Sequence, residues 1–387
     1  MTTLSEPSAT AQKHSEQLSL LIQERIALAG GWLDFSSFMQ LALYAPGLGY
    51  YSAGRQKFSQ MQKDGGDFVT APEMTSLFGR TIAQQVAQIF QAMRGDVLEL
   101  GAGTGKLAAD LLLALADLDC LPQQYLILEV SDHLRQVQLE TLQASLPPAL
   151  LQRVQWLHAL PAAFEGVILA NEVLDAVPVH LLHSTEQGLL ERGVAWQDGF
   201  VWQDRALADK HLLGLAEQQN LPSGYLSEFS PAATALVSSL ALSLQRGAII
   251  FIDYGFSARE YYHPQRNQGT LMCHYQHHAH PDPLVNIGLQ DITAHVDFSS
   301  VAYAGVNHGL SLAGFCSQAQ FLMNAGMLEL MAQVSPDDVS RYAPLAAAAQ
   351  KLLSPAEMGD IFKVMALTKN LDTALIGFSQ GDKSHTL

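Results

Sequence analysis

Two kinds of residue in this 387-residue chain could act together: a run of alternate glycines and several carboxylates set at the ends of apolar stretches. Val97-Leu98-Glu99-Leu100 reads as a short buried strand carrying an acid, and Gly101-Ala102-Gly103-Thr104-Gly105 follows at once. Lys106 to Leu115 then has a helix-like pattern. Glycine has no Cβ, so this loop can take positive φ and bring bare backbone close to a ligand. In open α/β sheets, nucleotide-like ligands bind in the crevice at the carboxyl ends of the strands.

Spacing narrows the ligand. A P-loop needs Gly, four residues, then Gly-Lys-Ser/Thr. Gly105-Lys106 is present, but Leu100 and Leu107 occupy the other two positions. The dinucleotide fingerprint Gly-x-Gly-x-x-Gly meets Lys106 at its third glycine, so an NAD-linked oxidoreductase is the weaker reading. Glu99-x-Gly101-x-Gly103-x-Gly105 instead resembles the first motif of class I S-adenosylmethionine (SAM) methyltransferases. SAM carries a sulfonium and an amino group, which a nearby carboxylate favours. A purely structural turn is the remaining alternative.

Tyr125-Leu126-Ile127-Leu128-Glu129-Val130 is the next apolar run with an acid near its end. Such runs fit strands buried on both faces of a parallel sheet. An acid at the tip of the second strand can accept the two hydroxyls of a ribose; a solvated strand-end carboxylate is the alternative. Ala170-Asn171-Glu172-Val173-Leu174-Asp175 follows another strong strand, Gly166 to Ala170. Asn171 could orient the amino-acid end of SAM, and Glu172 and Asp175 could grip a cationic acceptor. Asn171 and Asp175 would also serve as helix caps. Gly65-Gly66-Asp67-Phe68-Val69-Thr70-Ala71-Pro72-Glu73 precedes a helix expected over Pro72 to Met93, with Pro in its first turn. Local helix-start chemistry accounts for this segment unless it folds back over the glycine loop. In that case Asp67, Thr70 and Pro72 face the cofactor and Glu73 the substrate.

Four histidines crowd Cys273 to His280, but no second cluster has a zinc spacing, and no metal is expected. Asp291 to Phe298 alternates polar and apolar residues, so His295 and Asp297 either line a substrate groove or sit on an ordinary half-exposed strand.

The elements around these residues alternate. Leu18, Leu21, Ile22 and Ile26 have a helical period that closes at Gly30-Gly31. Phe35 to Leu43 is a second helix, and Gln56 to Gly66 a polar loop. Past Glu129, helix His133 to Ser145, strands Val154 to Leu157 and Gly166 to Ala170, a hairpin about Asp198-Gly199, helix Pro231 to Leu244 and strand Gly247 to Ile252 follow. Helices Gln318 to Ala325 and Tyr342 to Leu353 precede a last strand, Ile361 to Leu367. Repeated βαβ units imply an α/β doubly wound sheet.

With 48% hydrophobic and 15% charged residues, the chain can bury a large core. Its 37 acids against 21 Lys and Arg, a net charge of −16, argue against a nucleic-acid binder and suit a cationic protein partner. Cys120, Cys273 and Cys316 form no disulfide framework. No run is long enough to span a membrane, and Met1 to Gln17 has no leader-like pattern. A cytoplasmic protein is the expectation.

Taken in order, these segments resemble the MidA-like family of SAM-dependent protein arginine methyltransferases, which includes a mitochondrial complex I assembly factor. The matching residues are Tyr44-x-Pro46-x-x-Gly49-Tyr50-Tyr51, Gly66-Asp67-Phe68-x-Thr70-x-Pro72-Glu73, Glu99-x-Gly101-x-Gly103, Asn171-Glu172-x-x-Asp175-Ala176-x-Pro178, Ile252-Asp253-Tyr254-Gly255, Gly269-Thr270-Leu271, Asp291 to Phe298 and Met358-Gly359-x-x-Phe362-Lys363. Ala102 and Met272 depart from the family pattern, where Pro and a basic residue are frequent. The resemblance implies a class I SAM methyltransferase (Rossmann-like) core with an added helical and β substrate region. It implies SAM bound through the glycine loop and an arginine of a protein partner, such as a complex I subunit or other assembly client, as acceptor. An assembly chaperone that keeps the fold is the alternative, and a homodimer stays open. Glu172 and Asp175 are the first candidates for the catalytic clamp, with Asp253 or Glu73 behind them. The expected layout is a disordered tail (1–14), a helical region closing over the cofactor (15–93), the methyltransferase core (94–190), an insert with hairpin and helix (191–250), the rest of the core with the substrate region (251–375) and a disordered tail (376–387).

Overall fold

The computed structural model describes residues 4–53 and 70–387. In chain order it contains α1 (Ala9–Leu28), β1 (Leu33–Asp34), α2 (Phe35–Tyr44), α3 (Ala71–Met74), α4 (Ser76–Ala92), β2 (Asp96–Leu100), α5 (Lys106–Asp117), β3 (Tyr125–Leu128), α6 (Asp132–Ser145), β4 (Val154–Leu157) and β5 (Phe164–Asn171). Next come β6 (His180–Thr185), β7 (Gly188–Trp196), β8 (Phe200–Ala206), α7 (Lys210–Gln219), β9 (Tyr225–Phe229), α8 (Pro231–Ser243) and β10 (Leu244–Phe256). The last are β11 (Met272–Tyr275), β12 (His278–His280), β13 (Asp291–Thr293), β14 (Val296–Asp297), α9 (Phe298–Asn307), β15 (Ser311–Ser317), α10 (Gln318–Asn324), α11 (Val339–Leu353) and β16 (Phe362–Lys369). Short helical turns fill several connections.

The chain divides into two compact units that interleave in sequence. The second unit (Val69–Leu174, Leu236–Ser257, Val296–Leu387) holds a sheet of order β15-β16-β10-β5-β2-β3-β4, with β14 paired to β10. β4, β3, β2, β5 and β10 run parallel, and β16 is antiparallel to both neighbours. The apolar runs Val167–Ala170 and Ala248–Ile252 are buried, as a sheet covered on both faces requires. After β2 the chain steps outward to β3 and β4, then crosses back to lay β5 on the other side of β2. The switch point is therefore the β2–β5 crevice, where Gly101 and Asn171 emerge.

The helix expected over Pro72 to Met93 is two helices. Thr75 is extended (φ −167°, ψ 143°), ends α3 and caps α4 by accepting from Leu77 N–H. Thr competes for backbone hydrogen bonds and so favours caps over helix interiors. Leu77, Phe78, Ile82, Val86 and Ile89 then form the buried face of α4.

The first unit (Met1–Phe68, Asp175–Ala235, Ala258–His295) carries an antiparallel sheet β1-β7-β6-β9 with β8 on β7, and a small sheet β12-β11-β13. The hairpin about Asp198-Gly199 is β7–β8. Leu18, Ile22 and Ile26 of α1 pack with Phe35, Phe38 and Met39 of α2 and with Leu181 and Val194 of the sheet.

Both expected tails are structured where described. α1 begins at Ala9, because Ser8 Oγ accepts from Ala11 N–H. At the other end Asp382 accepts from Phe315 N–H, and Lys383 N–H donates to Phe315 O. These bonds cover the open side of β15, which an edge strand would otherwise leave unpaired. No described helix is long and apolar enough to cross a membrane.

Candidate functional site

β2 runs straight into the glycine loop. Gly101, Gly103 and Gly105 have φ of +59°, +52° and +87°, a region side chains rarely adopt. A Cβ on Gly103 would meet nothing within 4 Å, and one on Gly101 only Val173 Cγ2 at 3.4 Å. Backbone conformation therefore demands these two glycines, and among the described residues little stands against the face they present. Glu99 lies buried in β2 and accepts from Tyr125 O–H at 2.6 Å. Burial pushes its carboxyl up to about 7, Tyr125 pulls it back, and the Glu129 charge adds to the rise.

Glu129 stands just past β3, also buried. Its Oε1 accepts from Ser131 N–H at 2.9 Å and its Oε2 from Gln138 Nε2–H at 3.0 Å. Burial raises its carboxyl, against the pull of those two donors, of Val130 N–H and of the Arg135 charge. Arg135 of α6 donates to the Glu129 backbone carbonyl and to Leu157 O, tying the tips of β3 and β4 together. Gln138 was invisible to motif reasoning, since its partners are scattered along the chain.

At the tip of β5, Glu172 has φ +52° and its N–H donates to Ile252 O at 2.9 Å. Its Oε1 accepts from Asn171 Nδ2–H at 3.2 Å, while Asn171 Oδ1 is buried with no hydrogen-bond partner among the described residues. Asp253, buried at the tip of β10, accepts from Val173 N–H and Leu174 N–H through Oδ2 and from Tyr254 N–H through Oδ1. Asp253 thereby holds the backbone of the turn that follows Glu172.

Glu73 does meet the glycine loop: Thr104 Oγ–H donates to its carboxylate. Thr70 caps α3 in position without a side-chain bond, and Pro72 is buried in its first turn. Asp67, like the Gln56 to Gly66 loop, lies outside the described residues.

The other expected site residues have these surroundings. Asp175 belongs to the first unit, where it is buried and its carbonyl accepts from Ala294 N–H. Its charge, with that of the buried Asp291, helps hold the Tyr51 hydroxyl un-ionised, although burial of the ring is the larger cause. Tyr51 O–H donates to Asp291. His295, in the same unit, donates its backbone N–H to Thr270 Oγ1. Asp297 is the N-cap of α9, accepting from Ser299 N–H, Ser300 N–H and Ser300 Oγ–H. The histidine-rich stretch forms the β11–β12 hairpin. Among the described residues the one group with metal-ligand spacing is Asp34, His180 and Glu191, where Glu191 bonds His180 and Asp34 caps α2.

A clear-faced glycine loop, a buried carboxylate one strand over and an unpaired acceptor at Asn171 together fit SAM: aliphatic and ribose portions against bare backbone, a cationic centre among acids. Neither a P-loop nor a third dinucleotide glycine is present. A sheet with one antiparallel strand, a glycine loop at its switch point and this donor set define a class I SAM-dependent methyltransferase. The chain belongs to the S-adenosyl-L-methionine-dependent methyltransferase family, whose model matches residues 81–316. A Burkholderia thailandensis protein solved with S-adenosyl-homocysteine is 50% identical to it, with a TM-score of 0.95 and 100% of both chains covered. A second, native structure from that organism is 49% identical, with a TM-score of 0.93 over 100% of both chains. The chain is also similar to the mitochondrial protein arginine methyltransferase NDUFAF7 of Danio rerio (28% identity, 88% of this chain and 84% of the relative) and of Homo sapiens (27%, 87% and 80%). These relatives are named as mitochondrial proteins, which overturns the cytoplasmic expectation.

Proposed function

We propose that this SAM-dependent methyltransferase modifies an arginine side chain in a protein. The observation that carries the reading is the turn after β5. Asn171 and Glu172 end the strand beside the loop-bearing β2, and Val173 reaches within 3.4 Å of where a Gly101 Cβ would stand. Chemistry of the acceptor and of the two named relatives supports arginine.

In this reading Gly101, Gly103 and Gly105 cradle the cofactor, Glu129 accepts its ribose hydroxyls, and Glu99 and Asn171 face its cationic end. Glu73 fixes the loop through Thr104. Bound SAM supplies an electrophilic methyl group on a sulfonium. A guanidinium stays protonated and delocalised in proteins, so it is a poor nucleophile until it is held. Glu172 accepts from its N–H groups, localises a lone pair on one nitrogen and brings that atom within about 3–3.5 Å of the methyl carbon. The N–C bond forms as the C–S bond breaks, and its electron pair stays on sulfur. One guanidinium proton then passes to the Glu172 carboxylate and on to solvent, leaving a methylated cation. Asp253 takes no proton, and it keeps the Glu172 turn in its left-handed conformation.

The test uses methyl-labelled SAM with the full chain and arginine-bearing protein extracts, followed by hydrolysis and identification of the labelled amino acid. Label in methylarginine supports the reading. Label confined to another residue type, or to small molecules, overturns it.

A further inference from the structure

Gln138 sits on α6, fully buried, and touches three parts of the second unit at once. Its Nε2 donates to Glu129 Oε2 at 3.0 Å and to Gly103 O at 3.1 Å. Its Oε1 accepts from Trp156 Nε1–H at 2.8 Å. The orientation of the amide is unambiguous. An indole is a donor only, and a carboxylate and a carbonyl are acceptors only, so the oxygen must face Trp156 and the nitrogen the other two. Both amide hydrogens and the oxygen are thereby used. The backbone of Gln138 also lies against the loop: a Cβ on Gly105 would come within 3.2 Å of its Cα. The third glycine of the motif is there to let α6 approach.

We infer that Gln138 is a positioning residue for the cofactor, setting the glycine loop and the Glu129 carboxylate in register with each other. Its contacts run from Trp156 on β4, through the amide, to the loop after β2 and the acid after β3. Glu129 is buried, and a buried carboxylate without donors takes up a proton and becomes a weaker acceptor. Gln138, Ser131 N–H and Val130 N–H favour its charged form, and a carboxylate has about four acceptor sites, so capacity remains for a ribose hydroxyl. The same amide pins the Gly103 carbonyl, which fixes how the loop backbone faces that hydroxyl. The inference rests on reading Glu129 as the ribose acceptor.

The experiment measures S-adenosyl-homocysteine affinity by titration calorimetry from pH 5.5 to 8.5, with melting temperature recorded alongside. It compares the full-length protein, Gln138→Leu, Gln138→Glu and Glu129→Ala. Expected for Gln138→Leu is a loss on the order of tenfold or more at neutral pH, since a hydrogen bond to a charged group is lost. That loss should shrink as pH rises, because Glu129 without its donor needs more alkaline solution to ionise. Gln138→Glu should bind worst at high pH and recover toward low pH, where a protonated carboxyl can again donate to Glu129. A merely structural Gln138 would lower melting temperature and leave this pH dependence unchanged, and that result overturns the inference. Unchanged affinity in Glu129→Ala would instead sink the ribose reading beneath it. If Gln138→Leu fails to fold, Gln138→Glu decides by its pH profile.

Discussion

Glu129 and Glu228 are both carboxylates buried beside a glycine-containing loop, one in each unit, yet they are held very differently. Glu228, in β9, accepts from Thr270 N–H at 2.7 Å, Leu271 N–H at 3.0 Å, Thr270 Oγ–H at 3.1 Å and Tyr261 O–H at 3.2 Å. Its four donors match the roughly four acceptor sites of a carboxylate. A Cβ on Gly269 would come within 2.3 Å of Glu228 Oε1, so the loop is folded tightly onto the acid. Glu129 receives donors from Ser131, Gln138 and Val130 N–H, and among the described residues little faces Gly101 and Gly103 of the loop beside it. Saturation marks a carboxylate that builds a fold, and spare capacity beside clear backbone marks one that can take a ligand.

The sharpest way to test that contrast is at Glu172, beside the open loop. Glu172→Gln keeps the side-chain shape and the bond from Asn171 but removes the charge. Turnover should fall on the order of a hundredfold or more, in the range seen when one transition-state contact is removed, with SAM affinity within about twofold. Initial rates at saturating SAM, together with calorimetry, separate the two. An equal loss of rate and affinity would move Glu172 onto the cofactor. Next in size is Gly101→Val. At φ +59° a β-branched residue is strained by about 1–3 kcal/mol, and its side chain fills the face left clear. SAM affinity should drop about a hundredfold, with the melting temperature lowered by a few degrees by the strain; intact binding would show that the loop is not the cofactor cradle.

Glu228→Gln sits on the other side of the comparison. It turns one acceptor oxygen into an NH2 facing backbone and hydroxyl donors that bond the carboxylate in the parent. Loss of stability should be about 2–3 kcal/mol by denaturant titration, while SAM affinity stays within about twofold. A variant of normal stability that no longer binds SAM would break the distinction between saturated and unsaturated acids.

The two units were also unequally legible in the sequence. The strand, glycine turn and helix at 97–115 are local signals, and β2, the loop and α5 follow them within two residues. The roles of Gln138 and Glu228 depend on partners far along the chain: Gln138 bonds Gly103, 35 positions away, and Glu228 bonds Thr270, 42 positions away. No local pattern announces such a pairing. The Asp-Ile-Thr-Ala-His-Val-Asp stretch shows the opposite error. Its alternation suggested one strand, groove-lining or ordinary and half-exposed, but a break at Ala294 and His295 separates β13 from β14, and Asp297 turns out to cap α9. The cap signal, Asp297 before Ser299 and Ser300, was present but outweighed by the alternation.

Glu99 tests the comparison most finely, because it is buried, accepts from Tyr125 O–H, and lies in the strand before the glycine loop rather than within the loop. Its carboxyl is pushed from 4.5 up to about 7, chiefly by burial. The folded protein therefore holds this proton over a range in which the unfolded chain has released it. Stability from this group is complete below about pH 4.5, falls as pH rises toward about 7, and is flat above that. Glu99→Gln carries a permanently neutral group that can still accept from Tyr125 O–H. The difference in stability between the two proteins should grow in the variant's favour across that window by about 1 kcal/mol or more, one pKa unit being about 1.4 kcal/mol. Asp110, Glu129 and Glu228 are shifted upward as well and slope the same way, so the quantity to follow is the difference between the variant and the parent, by thermal melts at pH 5, 6, 7 and 8. A parallel pair of curves would mean that Glu99 is ionised throughout. It would then present a full negative charge to the cofactor's cation at neutral pH, and the acid nearest the loop would act by charge rather than as a neutral partner of Tyr125.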